Sequence, residues 1–439
     1  MAHKKMIKDN RPDITRLITV CALILIFILI IGALRAREHS FFRTGASNNK
    51  NREALPDTVK RRDDIQSNRW PKGFRLLRYW WTGGAAVYIA EMDRTAKNLQ
   101  FYAELANDQI LGRETITDAT RRLMEKDMLP LAGVNGSFGI REDNRGRGGM
   151  MFNLHIQNGE LISISTPLDK WGYSPPTAWG ETSFGVTPDG EFLLDRVKLN
   201  GKLKIAGDTL PIDAINQICD SSCPAVIYTP RFGRRTLTRR CYEFTLRQIQ
   251  LPLTGKYTSR FLVTGVNPRG NSSIPFDGVV LAIEPGLARD WRDKITKSTA
   301  GTLEIALTPK KWQDVQQGIG GNLRLVRDGK VEPELIEFGE SRGGSAYRHR
   351  NAASRHPRSA LGFNDEKLFL IAIDGRQPGY SMGMTLSHMG TFFSELGIKH
   401  AINFDGGSSS TLWALGKVAN SPAHGYERRI FNVAMIRAK

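Results

Sequence analysis

"AINFDGGSSSTLW", residues 401–413, is the stretch on which the reading of the chain turns. A run as apolar as a buried strand stops at a carboxylate, Asp405, and passes at once into Gly406, Gly407 and the hydroxyl residues Ser408, Ser409, Ser410 and Thr411. Glycines after a strand let the backbone approach a ligand closely, and successive amides in such a turn form a concavity suited to anions. The Gly-x-x-x-x-Gly-Lys-Ser/Thr spacing of a P-loop is missing, and so is its lysine. Taken alone, the run reads most simply as a glycine turn with a serine-capped helix behind it.

A second carboxylate turn lies just upstream. "LFLIAID" (Leu368 to Asp374) has the composition of a buried strand and is followed by Gly375 and Arg376. Between the two turns, "TLSHMGTFFSELG" sets Leu386, Met389, Phe393 and Leu396 at helical steps, with Thr385 as cap and Gly397 as stop. The order strand, helix, strand favours a parallel right-handed crossover, with Asp374 and Asp405 at the carboxyl ends of strands about 5 Å apart if they are direct neighbours. A similar unit occurs earlier: "AAVYIAEMD" (Ala85 to Asp93) as a strand, "TDATRRLMEKDM" as a helix opened by Thr117, and "LPLAGVNGSFG" as a strand ending at Asn135. Its "GVNGSF" echoes "NFDGGSSS". The middle segment, 180–312, carries β-type runs such as "PAVIYT", "RFLVTGV" and "GVVLAIEPG" between Gly, Pro and Asn turns. The fold class expected from these patterns is α/β (mixed α+β): strand-helix-strand units around a mixed sheet, with a β-rich middle segment.

The N-terminus organises the rest. "LITVCALILIFILIIGAL", Leu17 to Leu34, is uncharged and just long enough to cross a bilayer core as a helix. It exceeds the usual h-region of a signal peptide and lacks a clean cleavage site behind it, so it reads as an uncleaved transmembrane signal anchor. The expected order is a short cytoplasmic tail at 1–16, the anchor at 17–34, a polar flexible stalk at 35–69 and a folded domain at 70–439, outside the cytoplasm. Three of the four cysteines, Cys219, Cys223 and Cys241, fall in that domain, where the odd count prevents a firm disulfide assignment. The 439 residues carry a formal charge of +18, which favours anionic neighbours. "RFGRRTLTRR" and "RGGSAYRHRNAASRHPR" are read as solvated basic loops beside an anionic lipid or polymer, ahead of nucleic acid. His349 and His356 are flanked by arginines that repel cations and are not read as metal ligands. Trp80, Trp81, Trp171 and Trp179 could stack on sugars but more often fill cores, and "YSPPTAWG" (Tyr173 to Gly180) suits a pocket mouth.

Two carboxylates that stabilise a cationic sugar-like transition state, with Arg376 and Arg358 to hold a phosphate, make a coherent combination. "LAGVNGSFG", "GIGGNLRLVRDGKV", "RHPRSALGFNDEKLFLIAIDGR", "GYSMGMTLSHMGTFFSELGIKHAINFDGGSSSTLW" and "NSPAHGYERRIFNVAMI" stand in the order found in the phosphodiester glycosidase family, which the domain resembles over its whole length. The resemblance implies hydrolysis of a sugar-1-phosphodiester, in a glycan, glycolipid or envelope polymer, at the bond from anomeric carbon to phosphate oxygen. By motif position it points to Asn135, Asp374, Arg376 and Asp405, with Arg358 beside them. The roles expected are Asp405 as nucleophile or cation stabiliser, Asp374 as water activator or second stabiliser, and Arg376 and Arg358 on phosphate. Asn135 would meet a sugar hydroxyl or phosphate, Gly406 and Gly407 would offer backbone contacts, and Ser409 and Thr411 would offer hydroxyl donors. The family run often has a third glycine where Ser408 stands, so a positive φ there would strain this chain. No cofactor is certain; a divalent cation on the aspartates is the alternative. The alternative function is a non-catalytic binder of anionic polysaccharide.

Overall fold

Lys367–Ile373 is buried on both faces, and that explains why it reads as an unbroken apolar run. Leu368, Leu370 and Ala372 enter one core and Phe369, Ile371 and Ile373 another. The computed structural model describes residues 56–65, 70–140, 146–164, 182–333, 335 and 351–439. The sheet holding this strand runs Val59–Ile65, Phe74–Trp81, Ala85–Asp93, Lys367–Ile373, Arg358–Phe363, His400–Asn403, Arg324–Arg327, Lys330–Val331, and every neighbouring pair is antiparallel. The chain is predominantly β, and the expected α/β class of strand-helix-strand units is wrong. Continuous apolar sequence reports burial of both faces, which parallel sheets share with any sheet covered on two sides.

The position of one strand shows the error most clearly. Lys367–Ile373 and His400–Asn403 point the same way with a helix between them in sequence, yet they do not pair. Arg358–Phe363 lies between them and is antiparallel to both. Their backbones are therefore two strand spacings apart, about 10 Å. The helix, Leu386–Glu395, covers the outer face, where Leu386, Met389, Phe392 and Phe393 are buried. Thr385 caps it by accepting from the His388 amide at 3.1 Å, and Gly397, at φ +75°, ends it.

Against the inner face stand two smaller sheets. One runs Lys417–Val418, Leu412–Ala414, Leu129–Asn135, Asn432–Ala438, Leu99–Leu105. The other is centred on Gln317–Gly320. Ala132, Val134, Ile319, Ala434 and Ile436 from these sheets share a core with Leu361, Leu370 and Ile402. His400–Asn403 belongs to the first sheet and Leu412–Ala414 to the second, so residues 404–411 are the crossover between two layers. The β-rich middle forms a fourth, eight-stranded sheet from Asp208–Ile212 to Ala214–Ile215 in spatial order.

Two further expectations shift. Val59–Ile65, assigned to the stalk, is an edge strand of the first sheet beside Phe74–Trp81. The early helix is Ile116–Met124, capped by Thr115, which accepts from the Asp118 amide at 3.0 Å, and not by Thr117. Cys219, Cys223 and Cys241 are unbridged. The apolar run at 17–34, the tail, the "YSPPTAWG" loop and residues 342–350 lie outside the described residues. Among the described residues no helix is long and apolar enough to cross a membrane.

Replacing the cap hydroxyl in Thr385→Ala leaves the His388 amide without its acceptor and lowers stability by about 1 kcal/mol, measured by urea unfolding of the folded part.

Candidate active site

Pro357 sits between the two carboxylate turns and gives each its glycine. A Cβ on Gly375 would meet the Pro357 nitrogen at 2.6 Å, and one on Gly406 would meet the Pro357 carbonyl oxygen at 2.9 Å. Gly407 donates its amide to that same carbonyl at 2.8 Å. Arg358, the next residue, pairs with Ile373, and Ala360 pairs with Asn403, so both turns leave the same edge of the sheet on either side of one strand. The Asp-Gly repetition in the sequence thus has a packing cause: two chains must press against one backbone.

Asp374 is 1% exposed and surrounded by donors. Tyr380 Oη donates to Oδ2 at 3.0 Å, Asn420 Nδ2 to Oδ1 at 2.8 Å, and the Ser421 amide to both oxygens at 3.0 Å. Burial pushes its pKa up to about 6, against the pull of these hydrogen bonds. Tyr380 is fixed in turn by Tyr88, Oη to Oη at 3.0 Å, and by the edge of Trp80 with ring centroids 5.6 Å apart. Trp80 therefore packs against a partner of Asp374.

Arg376 holds a left-handed backbone, φ +61°, which costs a residue with a Cβ about 1–2 kcal/mol. Its exposed side chain reaches across to the second turn, where a Cβ on Gly407 would meet its Nη2 at 3.2 Å. Nη2 also stands 3.3 Å from His356 Nδ1. A guanidinium can only donate, so His356 Nδ1 accepts from it, as it can only when the ring is neutral. Burial, reinforced by Arg358 and Arg376, holds the His356 pKa near 4, which keeps it neutral. Arg428, half-buried, donates from its guanidinium to Ser408 Oγ. Two guanidinium groups therefore stand over the Gly406–Ser409 turn.

The other residues singled out by sequence are placed as supports. Arg358 is 5% exposed, and its fork is taken by Met384 O at 3.1 Å, Asn351 O at 2.5 Å, Asn351 Oδ1 at 3.1 Å and Ser354 O at 2.9 Å. Burial, then Arg376, brings its pKa down to about 9. Asn135 is 1% exposed; its Nδ2 donates to the Asp405 carbonyl at 2.6 Å, and its Oδ1 accepts from Ser359 Oγ at 2.7 Å and the Thr411 amide at 3.1 Å. The Asp405 amide donates to the Gly136 carbonyl at 2.9 Å, so the two echoing segments of sequence are bonded to each other. Ser409 and Thr411 are buried, and the Thr411 hydroxyl has no partner. Asp405 itself is half-buried beside half-buried Gly406 and Gly407. The positive φ of the turn falls on Gly407, at +65°, and Ser408 is spared the strain that a glycine-demanding geometry would impose.

Tyr380, Asn420, Ser421 and Arg428 were not singled out by sequence reasoning. Asn420, Ser421 and Arg428 occupy the block "NSPAHGYERR", which carries a turn signal but no recognisable chemistry of its own. Among the described residues no three His, Cys, Asp or Glu side chains are grouped to hold a metal ion.

Residues 258–437, which include Asp374, Arg376, Asp405 and Arg428, match the family model of the phosphodiester glycosidases. No curated protein sequence matches the chain. Among solved structures, a hypothetical protein from Synechocystis is similar at TM-score 0.68 and 16% identity, over 86% of this chain and 64% of its own. A Burkholderia pseudomallei K96243 protein described as exported gives 0.61 and 17%, over 83% and 75%. The catalytic domain of zebrafish N-acetylglucosamine-1-phosphodiester α-N-acetylglucosaminidase, auto-inhibited by its pro-peptide, gives 0.40 and 15%, over 90% and 87%. The first two likenesses establish the fold and nothing finer, and the chain spans less than two thirds of the Synechocystis protein.

Gly375→Ala forces its methyl into the Pro357 nitrogen and the Gly383 backbone, neither of which can yield without moving a strand end. The expected cost is about 1–3 kcal/mol in chemical denaturation, and an unchanged midpoint would show that the two turns are not packed as described.

Proposed function

We propose, from the phosphodiester glycosidase domain at residues 258–437, that the chain hydrolyses the bond between an anomeric carbon and a phosphate oxygen in a sugar phosphodiester. The observation that carries the reading is the convergence of the Arg376 and Arg428 guanidinium groups on Gly407 and Ser408, in the glycine turn that half-buried Asp405 opens. A phosphomonoester is a stable anion, so its departure needs charge stabilisation more than a proton. Arg376, exposed and held over Gly407, is placed to supply it. Asp405, half-buried at the start of the same turn, would meet the cationic carbon, as nucleophile or as electrostatic partner.

Asp374 takes a different part from the one its sequence position suggests. Its two oxygens already accept four contacts, so it orients Tyr380, Asn420 and Ser421 and is a positioning residue in this reading. Arg358 likewise supports Met384 and the Asn351–Ser354 turn, adding positive potential beneath the site without touching phosphate. Asn135 fixes the Asp405 carbonyl. The apolar run at 17–34 supports a single-pass anchor that holds this domain outside the cytoplasm, against a glycan, glycolipid or envelope polymer.

Two measurements test the reading. Purified protein should release reducing sugar from a hexose-1-phosphate methyl diester, and Asp405→Asn should lower kcat at least about a hundredfold, the scale of losing one electrostatic group, while binding survives. Binding without release by the unaltered protein would assign the fold to a non-catalytic polysaccharide binder instead.

The second concerns pH. The donors around Asp374 are arranged for its anion, so activity should fall as pH drops through about 6. Stability runs the other way. The folded pKa lies above the ordinary aspartate value of 3.8, so the stability contributed by the protonated carboxyl is fully present below pH 3.8 and is lost as pH rises through about 6. A kcat/KM profile flat from pH 5 to 7 would remove Asp374 from the machinery.

A further inference from the structure

The loop from Asn420 to Arg428 is tied to the candidate site at both ends. At its start, Asn420 and the Ser421 amide donate to Asp374. At its end, Arg428 donates to Ser408, and Glu427 accepts from the Thr117 amide at 3.0 Å, anchoring the loop to the Ile116–Met124 helix. Between these fixed points the chain reverses, with Gly425 at φ +74° and its amide on the Pro422 carbonyl at 2.9 Å. The reversal lifts two rings into solvent. His424 and Tyr426 stack with centroids 6.0 Å apart and planes 24° from parallel, and Tyr426 is 63% exposed.

An exposed tyrosine held in a stack is unusual on this molecule. Five large apolar side chains are exposed among the described residues, and two of them, Tyr426 and Met382, stand on turns that hold Asp374. Met382 follows Ser381, whose hydroxyl donates to the Asp374 carbonyl at 2.6 Å. Tyr426 is two residues from Arg428, so their Cα atoms are no more than about 7 Å apart. Exposed apolar side chains therefore stand on the same two turns as the groups that hold Asp374 and Ser408.

We propose that His424 and Tyr426 form a platform on which the pyranose ring of the substrate lies, with its phosphate on Arg376 and Arg428. The inference rests on the phosphodiester reading above and gives it a specificity element. A pyranose is amphipathic in the way such a site requires: its axial C–H face packs on an aromatic ring while its anomeric phosphate reaches the guanidinium groups. The His424 ring behind Tyr426 limits the tyrosine's rotamers, so less entropy is lost when the sugar docks. Stacking of this kind selects the ring over the bare anion, which the arginines alone cannot do.

The test compares glucose 1-phosphate and N-acetylglucosamine 1-phosphate with inorganic phosphate, by calorimetric titration of the full chain. The unaltered protein should prefer at least one sugar phosphate to phosphate. Tyr426→Ala should reduce that preference about tenfold, the scale of one aromatic contact, and leave phosphate affinity in place. Tyr426→Phe, which keeps the ring, should retain the preference. In turnover of a hexose-1-phosphate diester the loss in Tyr426→Ala should be carried by KM. A preference unchanged in Tyr426→Ala overturns the platform, as does equal weakening for phosphate and sugar phosphates, or no preference in the unaltered protein. Because titration needs no turnover, a chain that binds as described yet releases no sugar would sink the catalytic reading alone. Hydrolysis with an unaltered preference in Tyr426→Ala would sink the platform alone.

Discussion

A carboxylate removed from water stays ionised only where hydrogen-bond donors replace the solvent it has lost, and Asp374 collects them from three residues on two separate loops. The consequence reaches well beyond one side chain. Asn420, which donates to Asp374, also donates to the Ser410 carbonyl at 3.2 Å and accepts from the Leu412 amide at 2.7 Å. It therefore joins the end of a strand in the large sheet to the first residue of a strand in the smaller one. Asn135 makes the matching bond from the other side, between Asp405, Ser359 and Thr411. Two asparagines, each using a carbonyl and an amide in opposite directions, fasten the crossover at 404–411 where no strand pairing can do so. The least buried part of that crossover, Asp405 to Gly407, owes its position to two buried asparagines.

The strands bordering this crossover were legible in the sequence because their hydrophobic content is dense and their ends are marked. The Lys367–Ile373, Ala85–Asp93 and Leu129–Asn135 runs and the Thr385-capped helix stand close to where periodicity and turn residues put them. What could not be read was the partner of each strand. Arg358–Phe363 precedes Lys367–Ile373 by a short hairpin, yet it also pairs with His400–Asn403 across a helix, and no local signal distinguishes that insertion from a direct parallel pairing. The roles of the polar residues divide in the same way. Asp374, Arg376 and Asp405 announce themselves as charges beside glycine, whereas Tyr380, Asn420 and Ser421 matter through bonds to a residue some distance along the chain. Arg358 is the converse case: a charge conspicuous in sequence that spends four hydrogen bonds on neutral oxygens inside the protein.

That buried arginine has an electrostatic effect nonetheless. A guanidinium satisfied by carbonyl dipoles keeps much of its charge uncompensated, and its field acts through a medium of low dielectric constant. The lowered pKa values of Arg358 and His356 reflect burial first and then guanidinium groups held close together. Holding them there costs stability. An anion at Gly407 would relieve the repulsion, so part of the cost of assembling the cluster is recovered on binding.

The two aspartates share a sheet edge but differ in exposure, and exposure decides what each can do. Asp374 is enclosed, saturated and shifted upward in pKa, which makes its charge costly to keep and poorly able to reach a reacting carbon. Asp405 is half-buried on a turn that glycine leaves open, beside an arginine aimed across it. The same carboxyl group is an internal organiser in one setting and, in the proposed reading, the group offered to a ligand in the other, a division of labour set by environment. Exchanging the roles would require breaking the Asn420 and Ser421 contacts to free Asp374, and with them the link between the two sheets that holds Asp405 in place. The geometry thus makes the enclosed carboxylate a precondition for the half-buried one.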